Sequence, residues 1–385
     1  MAVSTGLMVL VTYSWYRLLP LILREMGATD AQIGISYTVL TLAQALLQYP
    51  GGWLGDKFGR KLMICLPGAV FGTAYIVSGM TRSWQVVVGC AAVVAGCNAL
   101  QAPSFTAIIT ESVGPRSRGL ALSVYQTSVS AALALGPALG ALLCRWVSPR
   151  TLMIATGLCS YAVSLWRWCS LSETSAPQTP SLGAVDWQSV WSILVVGVPF
   201  AFLAPLTVTG PFVQLYSKDA LGFTQSDVNM LFVVGPLASA LMMTAGGRII
   251  DLKGAARVLA LTSMAHAVSI LAWTRLRHPA ASWLVFGLAY LWLQVATISY
   301  DTMRSNMASQ TSRGMVLGLT GTVSGSLASA APALASMLSA RFGNTVPFVL
   351  AVVFAGLTSA CCYGTQLRTA NPRSSCFSSG QDPRK

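Results

Sequence analysis

A lone arginine, Arg17, lies about twelve residues into an apolar run that begins near residue 5. Charge is costly inside a hydrocarbon layer, so such a residue faces a water-filled cavity or a partner, or snorkels outward along its own stem. Arg17 therefore reads either as the contact for an anionic or hydroxyl-rich ligand or as a snorkelling surface arginine. Other polar side chains recur at helical spacing within apolar runs. Tyr290, Gln294, Thr297 and Asp301 follow i, i+4, i+7, i+11, a single helical face. Asn98 and Gln101 are one turn apart, as are Tyr13 and Arg17, while Thr207 and Gln214 share a run with Pro199, Pro205 and Pro211, which should bend it. The chemistry on offer is non-covalent: hydrogen bonds to a solute, or between helices. Proton movement would need a titratable group. Asp301 is the one carboxylate on such a stripe, and it sits near a span end, while His266 lies mid-span elsewhere. There is no HExxH, GxSxG or clustered Cys/His site, and His266 and His278 stand twelve apart. Neither an enzyme nor a bound metal or cofactor is expected.

The elements that hold these residues follow from composition. The chain has 385 residues, 54% hydrophobic and 9% charged, with mean hydropathy +0.63. Soluble domains carry about 25% charged residues, and a spanning helix needs about 20 apolar ones. The pattern predicts an all-α integral membrane protein with twelve spans, near 5–23, 31–51, 61–80, 85–110, 119–144, 150–170, 188–215, 226–247, 256–275, 282–303, 314–340 and 345–366. Residues 1–170 and 188–366 then form two six-helix bundles, joined by a Ser- and Pro-rich cytoplasmic linker over 171–187, with 367–385 a disordered basic tail. The net charge of +13 marks membrane topology, not nucleic-acid binding. With a cytoplasmic N-terminus, fifteen of the 24 Lys and Arg residues, Arg167 among them, fall on the cytoplasmic side, eight on the other, and Arg17 within a span. Both termini are thus expected in the cytoplasm. The nine cysteines read as small hydrophobes.

The chain also repeats itself. Gly52, Asp56 and Gly59 in GGWLGDKFGR are spaced as Gly247, Asp251 and Gly254 in GGRIIDLKG, at an offset of 195 residues. The same offset aligns GAT at Gly27 with GFT at Gly222, SRG at Ser117 with SRG at Ser312, and GPALG at Gly136 with APALA at Ala331. Two six-helix units in the same orientation are a recurring transporter plan, with substrate at the repeat interface. Twelve spans, the 6+6 repeat and the charged glycine loop Gly52–Lys61 resemble the major facilitator superfamily, over essentially the whole chain, with Gly55 replacing the usual Ala. The resemblance implies alternating access by a monomer in the plasma (inner) membrane. It places helices 1, 4, 7 and 10 around the cavity, 2, 5, 8 and 11 at the interface, and 3, 6, 9 and 12 outside. It implies a cytoplasmic latch in which Asp56 meets the start of the eleventh helix at Arg313, Asp251 meets the fifth at Arg118, and Arg60 pairs with Glu111. Gly136-Pro137-Ala138-Leu139-Gly140 is similar to the family's antiporter motif, with Ala141 in place of its last Gly. That tilts the expectation toward proton-coupled efflux of drug-like or metabolite compounds, against uptake of an anionic organic solute with Arg17 holding the charge.

Overall fold

The computed structural model describes residues 1–112, 118–173, 187–307 and 313–370. Its α-helices are α1 (Ala2–Tyr13), α2 (Leu19–Glu25), α3 (Asp30–Phe58), α4 (Arg60–Met80), α5 (Trp84–Glu111), α6 (Arg118–Leu143), α7 (Pro149–Ser170), α8 (Trp187–Ala201), α9 (Leu203–Leu206), α10 (Phe212–Asp219), α11 (Gln225–Lys253), α12 (Ala255–Trp273), α13 (Pro279–Met307), α14 (Arg313–Ala328), α15 (Ala331–Phe342) and α16 (Val346–Ala370). A 3₁₀ turn over Tyr16–Leu18 joins α1 to α2. Taken with their interruptions, α1–α2, α8–α10 and α14–α15 each make one span, so the described helices form twelve. Eight of the described segments are long and apolar enough to cross a membrane by composition alone. Large apolar side chains such as Leu165, Leu252, Leu284 and Met337 point outward, as lipid contact requires.

The 195-residue repeat is written into the backbone. The second span starts with a capping box between Thr29 and Gln32, in which Thr29 N–H donates to Gln32 Oε1 at 2.9 Å and Gln32 N–H to Thr29 Oγ1 at 3.3 Å. The eighth starts with the same device at Thr224 and Asp227, with bonds of 3.0 and 3.2 Å. Both spans end at a glycine of positive φ, Gly59 at 90° and Gly254 at 85°. A side chain is strained in that region, so glycine lets one helix stop and the next begin without a linker. This corrects the expected loop at Gly52–Lys61: α3 continues through Phe58, and only Gly59 breaks it.

α4 has no cap of its own. Glu173, just past the sixth span, supplies one: its Oε1 accepts from the Arg60 N–H at 2.9 Å and its Oε2 from the Lys61 N–H at 3.0 Å. A carboxylate satisfies the open N–H groups and the positive end of the helix dipole together. Glu173→Ala should cost about 1 kcal/mol, read as a lower melting temperature in detergent, with Glu173→Gln losing less. Equal melting of all three forms would discard this cap.

Within residues 1–170, α3 packs on α5, α4 on α5 and α7, and α1 on α6 and α7; the later helices pack among themselves in the same way. The halves meet along two seams, α3 against α14 and α15, and α6 against α11, the pairing that the resemblance implies for helices 2, 5, 8 and 11. Small residues allow the approach. Gly34 lies against Ser336 and Pro332, and Gly140 against the Ser14 carbonyl and Asn229.

Candidate functional site

The first and seventh spans are both broken, at corresponding places. The break at 14–18 around Arg17 in the first, moved on by 195 residues, falls on 209–213 and overlaps the stretch 207–211 between α9 and α10, where Pro205 and Pro211 flank the break. Proline removes a donor and clashes with the preceding turn, so the seventh span bends where the sequence predicts it. The break in the first span is followed by Pro20, in the first turn of α2, whose ring and missing N–H disrupt the helix at Tyr16, four residues back; this break was not foreseen.

Arg17 links the two breaks. Its Nη1 donates to the Val208 carbonyl at 3.1 Å, and its guanidinium lies 4.4 Å from the centroid of the Phe232 ring and 5.2 Å from that of Tyr13. It is 8% exposed, and among the described residues it has no carboxylate partner. It thus neither snorkels to the surface nor lines the cavity described below; it ties the first span to the seventh and eighth. At the same face, Arg24 pairs with Asp30 at 2.6 Å and across the halves with Asp219 at 2.5 Å. Gln225 Nε2 donates to Glu25 Oε1 at 3.2 Å, also across the halves.

Beneath Tyr13 opens a cavity of about 490 Å³ lined by all six spans of the first half. Tyr13, Asn98 and Gln101 line it, with Gln101 Nε2 donating to Asn98 Oδ1 at 3.0 Å. Gln101 is 4% exposed, and its Oε1 has no partner. The third and sixth spans, placed outside by the resemblance, contribute Phe71, Tyr75, Ser160, Ser164 and Arg167.

Arg167 is the residue that sequence reasoning missed. It was counted with the cytoplasmic cations because it stands near a span end. In the fold it is 6% exposed, donating from Nε to Ser4 Oγ at 3.1 Å and from Nη2 to Thr5 Oγ1 at 2.8 Å. The signal was present: Thr156, Ser160, Ser164 and Arg167 fall on one helical face, all buried.

The predicted residues of the second half do not join this cavity. Thr207 is fully buried against His266, whose Nε2 lies 3.0 Å from Thr207 Oγ1 and whose Nδ1 lies 2.7 Å from the Ala289 carbonyl. Gln214 is buried with its amide turned to the Gly210 and Pro211 carbonyls. Tyr290 packs on Gly235, Thr297 donates back to the Leu293 carbonyl at 2.9 Å, and Gln294 is half-buried on the same helix. Asp301 is half-exposed and paired with Arg304 of its own helix at 2.7 Å. Of the predicted latch, Gly59, Arg60 and Gly254 are the helix breakers and capped start described above. The side chains of Asp56, Glu111, Arg118, Asp251 and Arg313, with Gly52 and Gly247, lie outside the described residues. Gly136 and Gly140 face the first span around its break, and Pro137 lies within α6 between them. No cluster of metal-ligating side chains occurs among the described residues.

Residues 1–210 match the family model described as Major Facilitator Superfamily. The chain belongs to the major facilitator superfamily. Members of this superfamily are transporters, not enzymes. The chain is 20% identical over 230 residues to quinolone resistance protein NorA of Staphylococcus aureus (strain MSSA476), covering 58% of this chain and 59% of NorA. It is 24% identical over 258 residues to the probable sulfoacetate transporter SauU of Cupriavidus necator, covering 60% of this chain and 59% of SauU. The chain thus spans about six-tenths of the length of these curated relatives. In structure it is similar to a bacterial homologue of the human lysosomal transporter Spinster, in an inward-facing and occupied conformation. That likeness has a TM-score of 0.75 at 15% identity and covers 95% of this chain and 96% of the other.

Proposed function

We propose that this superfamily member is a secondary active exporter of small organic solutes that works by alternating access. One observation carries the reading: two repeat-matched helix breaks face each other and are tied through Arg17 and the Val208 carbonyl beside a polar and aromatic cavity. Broken helices at matching positions mark transporter sites, because freed backbone groups and a small rotation become available there. On this reading the halves are residues 1–170 and 188–366, the protein is a plasma-membrane monomer with both termini in the cytoplasm, and the Arg24 face is the outer one. Its cross-half contacts would break as cargo leaves. The Gly136–Gly140 motif and the likeness to a protein named for quinolone resistance support export.

We assign the coupling role to Asp301, since a proton taken up there would release Arg304 from its 2.7 Å ion pair. In proteoliposomes, a pH gradient should drive wild-type accumulation of a substrate dye, and Asp301→Asn should lose that drive while keeping downhill exchange. Gradient-driven transport that survives Asp301→Asn would remove Asp301 from the mechanism. Uptake of an anionic organic solute is the second reading, favoured by Arg167 as the one charged side chain among the described residues of the cavity lining and by the likeness to a probable sulfoacetate transporter. Movement of anions only, independent of Asp301, would select it.

A further inference from the structure

The cavity described above lies inside the first six-helix half; no described residue of the second half lines it. It is a slot. Thr5 and Trp15 line it ten residues apart along the first span, roughly 15 Å at the helical rise. At the Thr5 end, Arg167 hydrogen-bonds Thr5 and Ser4 and lies 5.1 Å from the Phe105 ring centroid. At the other end, Trp15 meets Tyr75 edge-on at 5.5 Å and Phe71 lies 6.3 Å from Tyr75. The slot is therefore cationic at one end and aromatic at the other.

Two groups in it are left wanting. Arg167 is a buried cation whose partners among the described residues are two neutral hydroxyls and a ring face, and the described residues of the lining include no Asp or Glu. Burying an uncompensated charge costs several kcal/mol, and a guanidinium offers five donors in a planar fork suited to a carboxylate or sulfonate. Gln101, 4% exposed, presents an Oε1 with no donor. That is an acceptor waiting for a hydroxyl or N–H.

We propose that this slot is a binding site for a compact aromatic organic anion. Its carboxylate or sulfonate is held by Arg167, its ring body lies toward Trp15, Phe71 and Tyr75, and a hydroxyl or N–H on the body donates to Gln101. The volume of about 490 Å³ is in the range of small-molecule sites. Arg17 does not line the slot, which adjoins its tie between the halves through Tyr13. It depends on the transport reading only for the claim that its ligand is cargo.

Binding is measured without a membrane gradient, on the full chain purified in detergent, by equilibrium dialysis of radiolabelled 2-naphthoate. 6-Hydroxy-2-naphthoate, 2-naphthylmethylammonium and dodecanoate serve as competitors. The wild type should bind 2-naphthoate, bind the hydroxylated form more tightly, and ignore the ammonium compound. Arg167→Gln should weaken binding about 10- to 100-fold, the usual worth of a charge-assisted contact, and Arg167→Lys should weaken it less. Gln101→Leu should erase the preference for the hydroxyl. Ala95→Trp fills the slot without touching Arg167 and should abolish binding, which keeps the test decisive if Arg167→Gln does not fold. No binding by the wild type, equal binding of the ammonium compound, a preference for dodecanoate, or full affinity in Ala95→Trp would each overturn the proposal. Failure here leaves the transport reading standing, and failure of flux leaves binding to be read on its own.

Discussion

Valine at position 140 should prevent the chain from assembling. A Cβ at Gly140 would overlap the Ser14 carbonyl oxygen and lie 2.9 Å from Asn229 Nδ2. The obstacle is main chain, fixed where α1 gives way to its 3₁₀ turn, so no rotamer change relieves it. Overpacking typically costs about 1–3 kcal/mol, and more where the neighbours cannot move, and this clash falls where the first, fifth and eighth spans meet. The expected result is loss of the monodisperse peak in size-exclusion chromatography, or a melting temperature lower by ten degrees or more. Gly136→Ala, with contacts at 2.9 Å to the Leu10 carbonyl and Tyr13 Cβ, should show a smaller loss. Gly89→Ala, where a Cβ meets nothing within 4 Å, should be neutral. If Gly140→Val melts with the wild type, the seam is not as tight as described.

Methionine at position 17 should leave a folded protein whose two halves separate at the Arg24 face. Arg17 has no carboxylate partner among the described residues, so its removal strands no opposite charge. What is lost is a charged hydrogen bond to Val208, worth about 1.5–3 kcal/mol, and cation–π contact with Phe232, worth about 0.5–2. Together, about 2–5 kcal/mol would move the conformational equilibrium roughly 30- to 5000-fold. The Arg24–Asp219 pair is only about two-thirds buried and solvent-screened, so Arg24→Ala should move it by a few-fold at most. Spin labels at Arg82 and Arg277, exposed repeat counterparts on that face, read the separation by pulsed dipolar spectroscopy. An Arg17→Met distance distribution that overlays the wild type would rule out Arg17 as the tie.

The elements that the sequence shows clearly are those in which composition or a single residue type determines the geometry. The repeat was legible because glycines cannot be replaced where φ is positive, as at Gly59 and Gly254, and because a capping threonine needs its partner three residues on. The bend of the seventh span was legible in its three prolines. Arg17 was legible as an anomaly, but its partners were not: a backbone carbonyl and a phenylalanine ring leave no pairing signal in a sequence. Arg167 was misread for a related reason. Position near a span end suggests solvent, and only the face it shares with Ser160 and Ser164 places it inside. Thr207 and Gln214 show the converse. Their polarity suggested a ligand, while local helix breakage and His266 already meet their hydrogen-bonding needs.

Arg24 and Asp219 are 195 residues apart, which makes each the other's counterpart in the repeat. They meet because positions so related lie across the axis that relates the halves. In a symmetric pair of identical six-helix subunits, that spot would bring arginine to arginine or aspartate to aspartate, and the contact would repel. Opposite charges can face each other there only once the two units are encoded separately and free to drift apart. A clasp of this kind therefore depends on two halves of different sequence, and it is an attraction that no homodimer of either half could possess.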